Sequence, residues 1–178
     1  MRPRDHMVEL DPNVGTLANL ATALTLVVAL AFGIVQVREG RQKRREMATL
    51  EALRPITSAD AARMWVHYRR LPATFDYSDA QFMASDAGLA LTYFSLVFED
   101  LGLLVKERVI DIGLVELAVG DAVTQFWAKV QPQATAARER LQRPDILEWT
   151  QWLAEKLSER RAGQARTPAY EAFRGWRE

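Results

Sequence analysis

The chain has 178 residues, 49% of them hydrophobic and 26% charged, a composition that excludes a disordered or collagen-like polypeptide and leaves room for one ordinary domain. Its 23 basic and 23 acidic side chains balance, which removes bulk electrostatics as a reason to bind nucleic acid. With no cysteine and two histidines, His6 and His67, the sequence excludes disulfides, thiol catalysis, iron–sulfur clusters and zinc–cysteine sites, and no cofactor or metal is expected.

No charged side chain occurs between Asp11 and Arg38, and residues 17–37 read LANLATALTLVVALAFGIVQV. At 1.5 Å per residue this stretch makes a helix about 30 Å long, the thickness of a bilayer's hydrocarbon core. A helix satisfies its own amides and so crosses lipid at no hydrogen-bonding cost. The alternatives are a buried core helix and a cleaved signal peptide. The stretch is too long for a signal h-region, and a basic segment follows where a cleavage site would stand. Residues 17–37 are therefore read as a single transmembrane helix, after a short extracytoplasmic segment, 1–16.

The next residues, REGRQKRR, set Arg38, Arg41, Lys43, Arg44 and Arg45 against one acid, Glu39. The positive-inside rule places this end in the cytoplasm, where the five cations meet anionic lipid headgroups. Within the span, Ala18, Thr22, Thr25, Ala29, Gly33 and Gln36 recur at spacings of three and four. Small and weakly polar groups on one stripe suit close packing against another transmembrane helix, a second copy or a partner subunit. The bland alternative is that Ala and Thr are common in such helices.

Good helix formers continue to Pro55, so the span extends as a basic stalk over 38–54. Ser58 is the expected N-cap of a second helix that ends near Leu71 and Pro72. Ser78 with Asp79 opens a third, whose Phe82, Leu89, Tyr93, Val97, Leu101 and Leu104 fall on one face. Its uncharged run, 87–98, is too short to cross a bilayer and reads as core. Asp111 caps the next helix, with Val115, Val119, Ala122, Phe126 and Val130 inward and Leu114 and Leu117 widening the stripe. Pro132 is expected to kink or end it, and 134–142 to resume it. Arg143-Pro144-Asp145 turns the chain into a last main helix with Ile146, Trp149, Leu153 and Leu157 inward, stopped at Gly163. The resulting bundle, 55–163, is all-α with four or five helices. In the tail, 164–178, Thr167 and Pro168 start a short helix bearing Tyr170, Phe173 and Trp176. It suits a membrane interface, a partner, or loose packing on its own domain.

No phosphate loop, nucleophile elbow or paired-histidine zinc pattern is present. His67, in WVHYRR, has no second histidine on its helix face and reads as structural. Asp111, Glu116 and Asp121 are five apart, so each turns about 140° from the last and they form no paired-carboxylate site. Glu99 is different, because apolar residues surround it in YFSLVFEDLGLLV. If buried it needs a partner, with Lys106, Arg108 or an arginine of another helix as candidates.

Phe98-Glu99, Gly102, Ile110-Asp111, Leu114-Val115 and Phe126-Trp127, together with the anchor, carry a resemblance over about residues 15–157. The chain is similar to a family of uncharacterised bacterial membrane-anchored helical proteins, a domain of unknown function. The resemblance implies a bacterial inner-membrane setting and a helical fold, and assigns no activity. An excess of Arg over Lys, 19 to 4, accords with a GC-rich bacterial genome.

Two functional readings follow. In the first, the span and bundle bind another membrane protein or a second copy, as an accessory or regulatory subunit anchored in lipid. The small stripe and five tryptophans (Trp65, Trp127, Trp149, Trp152 and Trp176) support it, although tryptophans also fill cores. In the second, a small-ligand sensor or enzyme holds its site between helices near Glu99. A nucleic-acid partner is not expected, because the membrane already accounts for REGRQKRR.

Overall fold

A computed structural model describes residues 12–162 and 168–176; the side chains of 12–19, 21 and 23 lie outside the description. The expectations for 1–11, Gly163 and Thr167, and for the side chain of Ala18, thus lie outside the described residues. Among those described the chain is all-helical, with no strand. In order the helices are α1 (Pro12–Leu53), α2 (Ala59–Arg69), α3 (Ala80–Met83), α4 (Asp86–Lys106), α5 (Ile112–Leu141), α6 (Glu148–Arg161) and α7 (Ala169–Ala172). The chain divides into two compact units, up to Arg44 and from Arg45 onward.

In the first unit the helical ladder of α1 is uninterrupted, because no proline occurs between Pro12 and Pro55. In the second, the last turns of α1 bring Leu53 into the core. Pro55 then lacks the amide that would continue the helix. The turn after it is closed by Ile56 N–H on Leu53 O. Ser58 Oγ accepts from Ala61 N–H at 3.0 Å and starts α2, as its residue type predicts.

The third predicted helix is two. Asp79 caps only the single turn of α3, and Ser85 caps α4 by accepting from Gly88 N–H at 3.2 Å. The two turns pack so closely that a Cβ on Gly88 would overlap the Phe82 carbonyl oxygen. The break also corrects the inward face. Leu91, Phe94, Phe98, Leu101 and Val105 are buried, Tyr93, Val97 and Leu104 are half-buried, and Leu89 is exposed. Phe82, on α3, packs against the core from its edge.

Phe94 is the centre of that core. Its ring lies 4.1 Å from Trp65 and 5.6 Å from Tyr68, both on α2, and 5.9 Å from Phe98. Phe98 meets Phe126 of α5 edge-on at 5.0 Å, and Tyr68 stacks on Phe126 at 5.5 Å. Such pairs contribute about 0.5–1.5 kcal/mol each beyond their burial. α4 is thus the axis of the bundle, packed by α2, α3 and α6. It is also, among the described residues, the one helix long and apolar enough to cross a membrane, with 44% of that window buried. The helix is longer than the uncharged run 87–98, because Glu99 and Asp100 lie within it and do not end it.

Asp111 caps α5 through Gly113 and Leu114 N–H, at 2.8 and 3.1 Å. The helix passes Pro132 without interruption. An interior proline costs about 3 kcal/mol, and tertiary contacts on the following turns offset it. Gln133 donates to Ala73 O, Arg138 to Ile146 O and Arg140 to Asp76, while Ala134 and Ala137 are buried. Leu117 departs from expectation. It is 81% exposed, so the stripe of α5 is narrower there than its apolar sequence suggests. α6 begins at Leu147, which has positive φ and no side-chain cap. In the tail, Pro168 is the N-cap of α7, not its first helical residue.

Candidate functional site

Two regions hold the residues singled out by sequence, the apolar stretch of α1 with its basic end and the crossing of α4 with α6. On α1, Leu24, Leu26, Val27, Val28, Leu30, Phe32, Ile34, Val35 and Val37 are each between 49% and 67% exposed. Their positions cover about two thirds of the helix circumference, and the strip left between them is that of Thr22, Thr25, Ala29, Gly33 and Gln36, which are exposed as well, so no face is reserved for a protein core. Thr22, Thr25 and Ala29 line one groove together with Leu26. A second groove, of about 620 Å³, has Ala29 and Gly33 among walls of Leu26, Leu30, Ile34 and Val37, and continues to Arg38 and Arg41. A Cβ on Gly33 would meet nothing within 4 Å. Gln36 is exposed on the same helix.

Arg38, Arg41, Lys43 and Arg44 are exposed. Arg45 has a different task, since its Nη2 donates to Ile110 O at 3.2 Å. One turn on, Thr49 is fully buried. Its hydroxyl donates to Arg45 O at 2.6 Å and accepts from Asp111 N–H at 2.9 Å. The last turns of α1 are thereby bonded to the loop that starts α5. Thr49 went unnoticed in the sequence because a threonine among helix formers, MATLEAL, carries no pattern of its own.

Glu99 is half-buried, and its partner is not a cation. Its Oε1 accepts from Thr150 N–H at 2.7 Å. Thr150 is the third residue of α6, where a helix has a free amide that an N-cap side chain normally satisfies. Leu147 offers none, and the Glu99 carboxylate takes that place from α4. Of the candidates, Lys106, Arg108 or an arginine of another helix, none takes this place, and Lys106 instead pairs with Glu107 and lies 5.3 Å over the Trp149 ring. At this crossing a Cβ on Gly102 would overlap the Trp149 carbonyl oxygen. Glycine is what lets the two backbones meet.

Glu116 and Asp121 of α5 are paired with arginines of α6. Arg160 Nε reaches Glu116 at 2.8 Å and Arg161 Nη1 reaches Asp121 at 2.6 Å. These partly exposed pairs are worth about 0–1 kcal/mol each. His67 Nδ1 lies 3.4 Å from Asp86 Oδ2. Trp65, Trp127 and Trp152 belong to the core or pack on it, whereas Trp176 is exposed with Tyr170 and Phe173. Beyond α2, Arg140 holds the Asp76 carboxyl down at about 2, aided by hydrogen bonds from Ser78. Burial pushes the Tyr68 phenol up to about 12, and burial with the neighbouring Tyr68 raises Tyr77 as well. No cluster of three His, Asp or Glu able to hold a metal occurs among the described residues.

The family model described as "Domain of unknown function (DUF4760)" matches residues 19–157, nearly the stretch over which Phe98-Glu99, Gly102 and Phe126-Trp127 carried the resemblance. The chain belongs to this family. No curated protein and no solved structure matches it. In this DUF4760 chain the matched stretch runs from the apolar part of α1 to Leu157, the last buried residue of α6.

Proposed function

We propose that this DUF4760 chain is a membrane-anchored helical protein, in which residues 17–37 of α1 cross the bacterial inner membrane once and the bundle lies in the cytoplasm. The observation that carries the reading is the exposure of large apolar side chains around about two thirds of α1, with only small or uncharged side chains, also exposed, on the remaining strip. Exposed to water, each would forgo about 1.5–3 kcal/mol of burial, and lipid is the solvent that removes this cost on every side at once. α4 has the composition of a span, but its buried face, from Leu91 to Val105, is the bundle's own core. Moving it into lipid would dismantle the contacts of Phe94 and Phe98. The excess of basic residues after the span orients the carboxyl side inward.

The function that fits best is an accessory or regulatory subunit that binds another membrane protein, or its own copy, through span and bundle. The Thr22–Thr25–Ala29 groove supports contact within the membrane, and the use of Glu99 as a cap supports a structural role for that carboxylate. Alkaline extraction of native membranes should leave the chain in the pellet, with its carboxyl end cleaved by protease added from the cytoplasmic side. Release without detergent, or protection of that end, overturns the anchor or its orientation. Purification in mild detergent should recover a stoichiometric membrane partner or a dimer, and a clean monomer at native expression overturns the subunit reading.

A further inference from the structure

The groove of Gly33 on α1 is apolar along its length and cationic at one end only, the pattern of a single amphiphile. We propose that it seats one anionic phospholipid, with an acyl chain along Ala29 and Gly33 and the phosphate held by Arg38 and Arg41. The inference rests on α1 being the membrane span. From Leu26 to Val37 the groove rises about 16 Å, half of a hydrocarbon core about 30 Å thick, so its apolar part matches one leaflet. Both arginines line the same groove, and guanidinium groups suit bidentate phosphate contact. Charge also selects against a second copy in this groove. Two spans of one orientation would set Arg38 and Arg41 against the same cations of the partner, whereas an anionic headgroup neutralises them.

Lys43 provides the control. It does not line the groove and lies about 200° around the helix from Arg41, so Lys43→Gln removes the same charge from another side. The full chain is placed in phosphatidylcholine vesicles with a minor fraction of phosphatidylglycerol, and the lipid retained on gentle release is counted by native mass spectrometry. One phosphatidylglycerol should be retained in preference to phosphatidylcholine. Arg38→Gln and Arg41→Gln should each lower that preference about fivefold, and Lys43→Gln should leave it unchanged. Gly33→Leu, whose Cβ would meet nothing within 4 Å, should abolish retention with both arginines intact. Equal retention of the two lipids, or an equal loss in Lys43→Gln and Arg41→Gln, overturns the seat and leaves the span standing. Failure of the chain to float with the vesicles overturns the span itself.

Discussion

Glu99 Oε1 and Thr150 N lie 2.7 Å apart, so a carboxylate on one helix satisfies a free amide at the start of another. The arrangement combines a hydrogen bond with a negative charge at the positive end of α6. Glu99→Ala should lower the unfolding free energy by about 1–2 kcal/mol, the usual value of a lost N-cap. Glu99→Gln keeps an acceptor and should lose only about 0.3–1 kcal/mol. Denaturant unfolding followed by circular dichroism in detergent separates the two, and equal losses would show that the acceptor is not what matters.

Thr49 is the second case of a bond made across the bundle. Thr49→Val keeps the shape and leaves Asp111 N–H unpaired, at a cost of about 1–3 kcal/mol. Thr49→Ser should retain most of the stability. Amide exchange at Asp111 should accelerate in the valine variant alone.

Two glycines of similar sequence context should respond in opposite ways. Gly102→Ala drives a methyl group into the Trp149 main chain and should destabilise by about 1–3 kcal/mol or more. Gly33→Ala meets open space and should leave the melting temperature of the bundle unchanged. Paired melting curves of the two variants check this.

Acid should loosen the corner between α2 and α5. The Asp76 carboxyl titrates at about 2 instead of its ordinary 3.8, so its ion pair with Arg140 stabilises the fold fully above about pH 4. That contribution is lost as pH falls toward 2. Asp76→Asn should remove this part of the acid sensitivity, and melting temperatures of both proteins between pH 2 and 5 should converge at the acid end.

Local chemistry explains which elements the sequence revealed. Ser58 and Asp111 cap helices because their oxygens reach amides two or three residues away, and that reach is written in the spacing. The split between α3 and α4 is less visible, because Asp79 and Ser85 are both good caps and only the close approach at Gly88 shows that both are used. Pro132 misled for the opposite reason. Its local penalty is real, but Gln133 and Arg140 find acceptors more than 50 residues away in sequence, and Arg138 one beyond the end of the helix. The partner of Glu99 was hidden altogether, since a backbone amide has no residue type by which to recognise it. Leu117 shows the limit of periodicity, because an apolar residue on the edge of a stripe turns outward when no neighbouring helix arrives to cover it.

The obstacle facing position 102 is a main-chain carbonyl, and side-chain exchange at Trp149 cannot move it. A genetic screen for second-site suppressors of Gly102→Ala should therefore return no change at codon 149 that acts by trimming bulk. Rescue would have to come from substitutions that re-route the start of α6, around the left-handed turn at Leu147, where the path of the whole helix is set.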